Sequence, residues 1–143
     1  MHDSQAIQLT RSVLFAPGNH PRRVEKALGS GADLAVLDLE DAVPAAEKAA
    51  ARATIGAALA RSRKARAYVR INALCGADWE ADLRAVVCPM LDGIVLPKVE
   101  TAAELRELDA RLTLLERCVG VKEGALDVMP IIESARGVWD CAV

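Results

Sequence analysis

Five times along this chain an apolar run of β-type residues ends in polar residues and gives way to a helical pattern. Repeated strand-then-helix order builds parallel strands, because each crossover helix returns the chain to the end where the previous strand began. Like ends of parallel strands lie on one rim. The polar ends Asp38-Leu39-Glu40-Asp41, Arg70-Ile71-Asn72, Pro97-Lys98 and Glu133-Ser134 are therefore expected to meet there, although they are far apart in sequence.

The predicted strands are Ser12–Ala16, Leu34–Leu39, Arg66–Ile71, Gly93–Leu96 and Leu126–Ile132. The second is apolar at nearly every position, as in a strand buried on both faces. Helices are predicted from Pro21 to Leu28, from Pro44 to about Ser62, over Asp78–Val87 with Asp78 as N-cap, and from a Thr101 cap to about Glu116. Glu104, three residues after Thr101, completes a capping box. A loop over Cys118–Ala125 carries Gly120 and Gly124, and Ala135–Val143 begins a fifth helix.

Two α/β architectures fit this order. An open doubly wound sheet would place a GxGxxG turn after its first strand, and Pro17-Gly18-Asn19-His20-Pro21 is not that turn. A (β/α)8 TIM barrel fits better, since its functional residues come from many strand ends. Such a barrel takes roughly 250 residues. The 143 residues here supply about five βα units and stop without a helix-ending signal. Residues 1–143 thus read as the truncated, N-terminal portion of a single barrel domain.

Apolar residues make up 52% of the chain and aromatics only 3%, so alanine, leucine and valine must fill the core. A formal charge of −2 offers no electrostatic attraction for nucleic acid or an anionic membrane. No apolar run is long enough to span a bilayer. Met1-His2-Asp3-Ser4-Gln5 lacks the basic and apolar regions of a secretory signal. Cys75, Cys88, Cys118 and Cys141 form no CxxC pair and read as free thiols in a reducing cytoplasm.

The strand ends carry the chemistry. Glu133 follows the apolar run Val128–Ile132, where a carboxylate must be solvated, paired or metal-bound. Its oxygens suit Mg²⁺; capping of the fifth helix by Glu133-Ser134 is the plain alternative. Strand alternation puts Asp38 and Glu40 on one side, Leu39 and Asp41 on the other. One of these acids is a candidate to face a metal, directly or through water, and Asp41 equally a cap for the second helix. Arg70 has the planar fork to grip a substrate carboxylate, or to bridge Glu40 or Asp41. Lys98 reads first as partner to a rim carboxylate. His20, Arg22, Arg23 and Lys26 form a basic cluster beside the first strand end, able to bind phosphates or simply solvated.

The ordered stretches Arg11–Gly18, Leu37–Val43, Val69–Asn72, Leu96–Glu100 and Ile131–Gly137 resemble the citrate lyase β-subunit family of the HpcH/HpaI aldolase superfamily. That superfamily includes malyl-CoA, citramalyl-CoA and citryl-CoA lyases. The resemblance implies a (β/α)8 barrel, trimeric or hexameric, that uses Mg²⁺ to cleave or form a C–C bond between an acyl thioester and a 2-oxo acid. It implies Glu133 as metal ligand, with a second aspartate ligand beyond Val143. It implies Arg70 as the group binding the substrate carboxylate, and Phe15, His20 and Lys26 lining the CoA or substrate entrance. With Glu40, Arg70 and Glu133 form the expected catalytic set. The partners are an acyl-CoA or acyl-carrier-protein thioester and the oxo acid. Two other readings stay open: an inactive fragment or non-catalytic subunit, and a metal-dependent pyruvate aldolase acting without CoA.

Overall fold

The computed structural model describes residues 10–141. The Met1–Gln5 stretch and the Ala142-Val143 end of the predicted fifth helix lie outside the described residues. Strands β1 (Val13–Pro17), β2 (Leu34–Asp38), β3 (Arg66–Arg70), β4 (Gly93–Leu96) and β5 (Asp127–Pro130) alternate with helices. These are α1 (Pro21–Leu28), α2 (Lys48–Leu59, entered through a 3-10 turn at Ala45–Glu47), α3 (Trp79–Val86), α4 (Ala102–Val119) and α5 (Ala135–Asp140).

The five strands pair in parallel in the order β1-β2-β3-β4-β5. A doubly wound sheet reverses its strand order at a switch point; this sheet never does. Its two faces differ accordingly. One face contributes Ala35, Leu37, Val69 and Ile94 to a core that also holds Val24 and Leu28 of α1, Ile55 and Leu59 of α2, Leu83 and Val86 of α3, and Leu108 and Leu112 of α4. The other face gathers Leu34, Val36, Tyr68 and Val95, with Met129 and Ile131 against them, and its apolar cluster contains no helical residue. Helices α1 to α4 thus cover one face only, the arrangement of a barrel wall with its helices outside.

Local signals account for most boundaries. Pro21 opens α1 where a missing N–H is tolerated. Thr101 and Glu104 form the expected reciprocal capping box at α4. That helix runs three residues past Glu116, to Val119, where Gly120 takes the left-handed conformation (φ 74°). The buried Glu116 carboxylate accepts hydrogen bonds from the Gly124 and Leu126 amides, tying the following loop down. Two expected caps differ. Asp78 does not cap α3; its side chain takes Arg52 at 2.5 Å instead. Asp41 caps no helix, because the 3-10 turn begins after Pro44 and Asp41 turns towards Lys98.

Gly93 is the closest approach in the sheet. A Cβ there would sit 2.5 Å from the Tyr68 ring and 2.8 Å from the Asp127 carbonyl oxygen. Gly93→Ala should therefore destabilise the protein by about 1–3 kcal/mol, the usual range for overpacking, measured as a lowered urea midpoint.

Candidate active site at the strand-end rim

The register places Pro17, Asp38, Arg70, Val95 and Met129 on one level across the sheet, at or one residue short of the strand ends. Asp38 and Arg70 are direct neighbours on the face away from the helices. Arg70 Nε donates to Asp38 Oδ1 at 2.7 Å and Nη2 to Oδ2 at 2.6 Å, a two-pronged pair. Asp38 also accepts from the amides of Glu40 and Ala42, so it folds the strand end over itself. Burial alone would push the Asp38 carboxyl upward. The Arg70 bonds and charge and the two amides outweigh that, and hold it below the ordinary carboxylate range.

Glu40 lies next along the rim and is 5% exposed. Its Oε2 is 3.2 Å from Arg70 Nη1 and its Oε1 is 2.7 Å from Lys98 Nζ. Both oxygens are buried, and the two cations hold this carboxylate by charge. Lys98 also approaches Asp41 Oδ1 at 3.4 Å, and the Glu40 pairing raises the ammonium pKa. The backbone N–H of Lys98 donates to Glu133 Oε1 at 2.9 Å. One unbroken series of contacts therefore joins Asp38, Arg70, Glu40, Lys98 and Glu133.

The expected residues fall into two groups. Arg70, Glu40 and Glu133 converge on this rim. Phe15 joins them: the Arg70 guanidinium carbon lies 5.4 Å from its ring centroid, and Phe15, Asp38 and Arg70 line a cavity of about 380 Å³ with Ala16, Pro17 and Ala42. Ser134, not Glu133, caps α5 by accepting from the Gly137 amide, so Glu133 is not needed as a cap. His20 and Lys26 stand apart. His20 precedes α1 with its side chain exposed and making no capping bond. Lys26 sits in the last turn of α1, the end that runs away from the rim. Neither lines the Phe15–Arg70 cavity.

Sequence reading missed two things. It offered Glu40 or Asp41 to Arg70; the Glu40 bridge is present at 3.2 Å, but the two-pronged grip is on Asp38, because Asp38 and Arg70 share a register position. It also passed over the support beneath the rim. The fully buried Asp82 accepts from Arg52 Nε and from both the amide and the Nδ2 of Asn72. Asn72 in turn donates to the Leu39 carbonyl and accepts from Lys48 Nζ. An acid between Trp79, Leu83 and Val86 on the buried face of α3 was the available signal. The four cysteines are free thiols, Cys88 half-buried and the others exposed.

Residues 11–142 match the HpcH/HpaI aldolase/citrate lyase family. The chain belongs to that family. Citrate lyase subunit beta of Leuconostoc mesenteroides subsp. cremoris is 42% identical over 133 residues, 92% of this chain and 44% of that protein. The L-malyl-CoA/beta-methylmalyl-CoA lyase of Cereibacter sphaeroides is 41% identical, over 90% of this chain and 42% of its own length. The crystal structure of Mycobacterium tuberculosis CitE with magnesium and pyruvate superposes with a TM-score of 0.74 at 33% identity, covering 96% of this chain and 50% of that one. Haloferax volcanii malate synthase, 17% identical with a TM-score of 0.78, shares the fold. The chain spans about half the length of these relatives. No helix among the described residues is long and apolar enough to cross a membrane.

Because the Asp38 pKa is lowered by folding, its contribution to stability is complete above the unfolded value near 3.9. It is lost as pH falls through the lower folded value. Urea midpoints from pH 6 to pH 2.5 should drop on the acid side in the native protein and drop less in Asp38→Asn. At neutral pH that variant should lose about 1.5–3 kcal/mol, the usual worth of a charged hydrogen bond, since Arg70 keeps only its Glu40 contact.

Proposed function

We propose that residues 1–143 are the N-terminal portion of a single (β/α)8 domain whose intact enzyme is a Mg²⁺-dependent carbon–carbon lyase. The substrate is a 2- or 3-hydroxyacyl thioester of the citryl-, malyl- or citramalyl-CoA kind, and the products are an acyl thioester and a 2-oxo acid. The contact series from Asp38 to Glu133 carries this reading: it assembles a cation for carboxylates and a free Glu133 oxygen on the rim where barrel enzymes do chemistry. Relatives support the substrate class. One is named for malyl-CoA cleavage, and CitE has been crystallised with magnesium, acetoacetate and coenzyme A.

Each residue has a part. Arg70, its Nε–Nη2 edge fixed on Asp38 and its Nη1 3.2 Å from Glu40, presents a rigid guanidinium as the cation for a substrate carboxylate. Phe15 walls the same cavity and His20 stands on the rim side of α1, with Lys26 further down that helix. Glu40 accepts a hydrogen bond from the substrate hydroxyl. Loss of the hydroxyl proton to a base from outside this chain lets the C–C electron pair pass to the thioester α-carbon, leaving the carbonyl of the 2-oxo acid and an enolate, which takes up a proton to become the acyl thioester. The intact enzyme is a cytoplasmic trimer or hexamer using CoA or an acyl-carrier protein.

The residues present fit the metal in part. Glu133 has Oε1 held by the Lys98 amide, while its Oε2 makes no hydrogen bond or ion pair among the described residues. Among these residues no three acidic, histidine or cysteine side chains gather to hold an ion. Glu133 would thus supply one ligand of a site completed elsewhere, by an aspartate beyond Val143. Bound there, Mg²⁺ would polarise the ketone oxygen as a Lewis acid.

In the intact protein Glu133→Gln should abolish Mg²⁺-dependent thioester cleavage. Arg70→Lys should lower kcat/KM at least about tenfold, since one charged hydrogen bond is worth roughly 1.5–3 kcal/mol. Unchanged kinetics in either variant would remove that residue from its role. Turnover of free hydroxy-keto acids with no turnover of any CoA thioester would favour the pyruvate aldolase reading.

A further inference from the structure

The pairing of β4 with β5 shifts by one residue just past the strand ends, at the rim. In a parallel pair the residue after each partner donates back across the ladder. Leu96 pairs with Pro130, and the Ile131 amide donates to the Leu96 carbonyl at 2.8 Å, so the next bond to the Ile131 carbonyl belongs to the Lys98 amide. It comes from Val99 instead, at 3.1 Å. One extra residue has been inserted, and the N–H it frees is the one that meets Glu133 Oε1. Bulges in parallel pairs are rare and gather beside active sites, where they re-aim a group.

Lys98 is also the single non-glycine residue with positive φ among those described, at 55°. Lysine gains nothing from that conformation by itself, because its Cβ crowds the backbone. Something must hold it. The side chain supplies the hold: Nζ reaches Glu40 at 2.7 Å and Asp41 at 3.4 Å, both on the loop after β2. Glycine would suit the turn better and would lose this tether.

We infer that Lys98 is a positioning residue, whose ammonium, tethered on the β2 loop, holds a one-residue bulge that aims its own backbone N–H at the Glu133 carboxylate. This rests on the reading of Glu133 as a metal ligand. The amide fixes one oxygen and leaves the other pointing free, as outer partners of metal ligands do. It also couples two strand ends, since the same residue grips Glu40 through its side chain and Glu133 through its backbone.

The test uses the intact protein, with Mn²⁺ as probe and its affinity read by electron paramagnetic resonance, alongside thermal unfolding. Lys98→Met should weaken Mn²⁺ binding about tenfold with folding retained, and Lys98→Arg should restore most of the loss; the usual range for an outer partner of a metal ligand is about 10–100-fold. Deletion of Lys98, which lets the ladder run unbroken and takes the N–H from Glu133, should cost about 100-fold in Mn²⁺ affinity. If the deletion does not fold, the Met and Arg variants decide. Lys98→Met binding Mn²⁺ like the native protein while Glu133→Gln loses it overturns the inference alone. Native affinity in Glu133→Gln as well overturns the assignment of Glu133, and the inference with it.

Discussion

A buried aspartate and an arginine on adjacent strands hold this rim together. Asp38 and Arg70 share a register position, so the pair forms only if β2 and β3 are parallel and correctly aligned. A slip of either strand by one residue would send its charge into the helix-side core and break the pair. The pair therefore acts as a check on register as well as a part of the site. Every other contact on the rim starts from it: Glu40 is placed by the turn that Asp38 caps, Lys98 by Glu40, and Glu133 by Lys98.

The series alternates in charge from Asp38 through Arg70, Glu40 and Lys98 to Glu133, and this alternation is what permits such burial. Asp38 and Glu40 are nearly inaccessible, and each has a cation against it. The open acceptor is the outer oxygen of Glu133. A substrate carrying a carboxylate and a hydroxyl complements that pattern. Beneath it, the Asp82–Asn72–Lys48 network fixes the backbone of the β2 and β3 ends, which keeps the rim from collapsing onto the helices.

Much of the fold was legible in the order of residues. The predicted Gly93–Leu96 strand matches β4, and the capping box at Thr101 and Glu104 forms with both its bonds. These signals are local, set by side chains within four residues of one another. The errors lie where partners are distant. Asp78 looked like a cap because caps are judged from neighbours; Arg52, from another helix, claimed it. Asp41, weighed also as a cap, lies ahead of the Pro44 start of the helical turn and near Lys98 instead.

The sequence by itself determined that strand ends bearing Asp38, Glu40, Arg70, Lys98 and Glu133 would share a rim, because strand-helix repetition admits only parallel strands. Tertiary structure alone decided which charge meets which. Choosing Asp38 over Asp41 for Arg70 depends on cross-strand register, and giving the Lys98 amide to Glu133 depends on a bulge one residue wide. Neither leaves a local trace, since both are distances between residues that the chain order keeps dozens of positions apart.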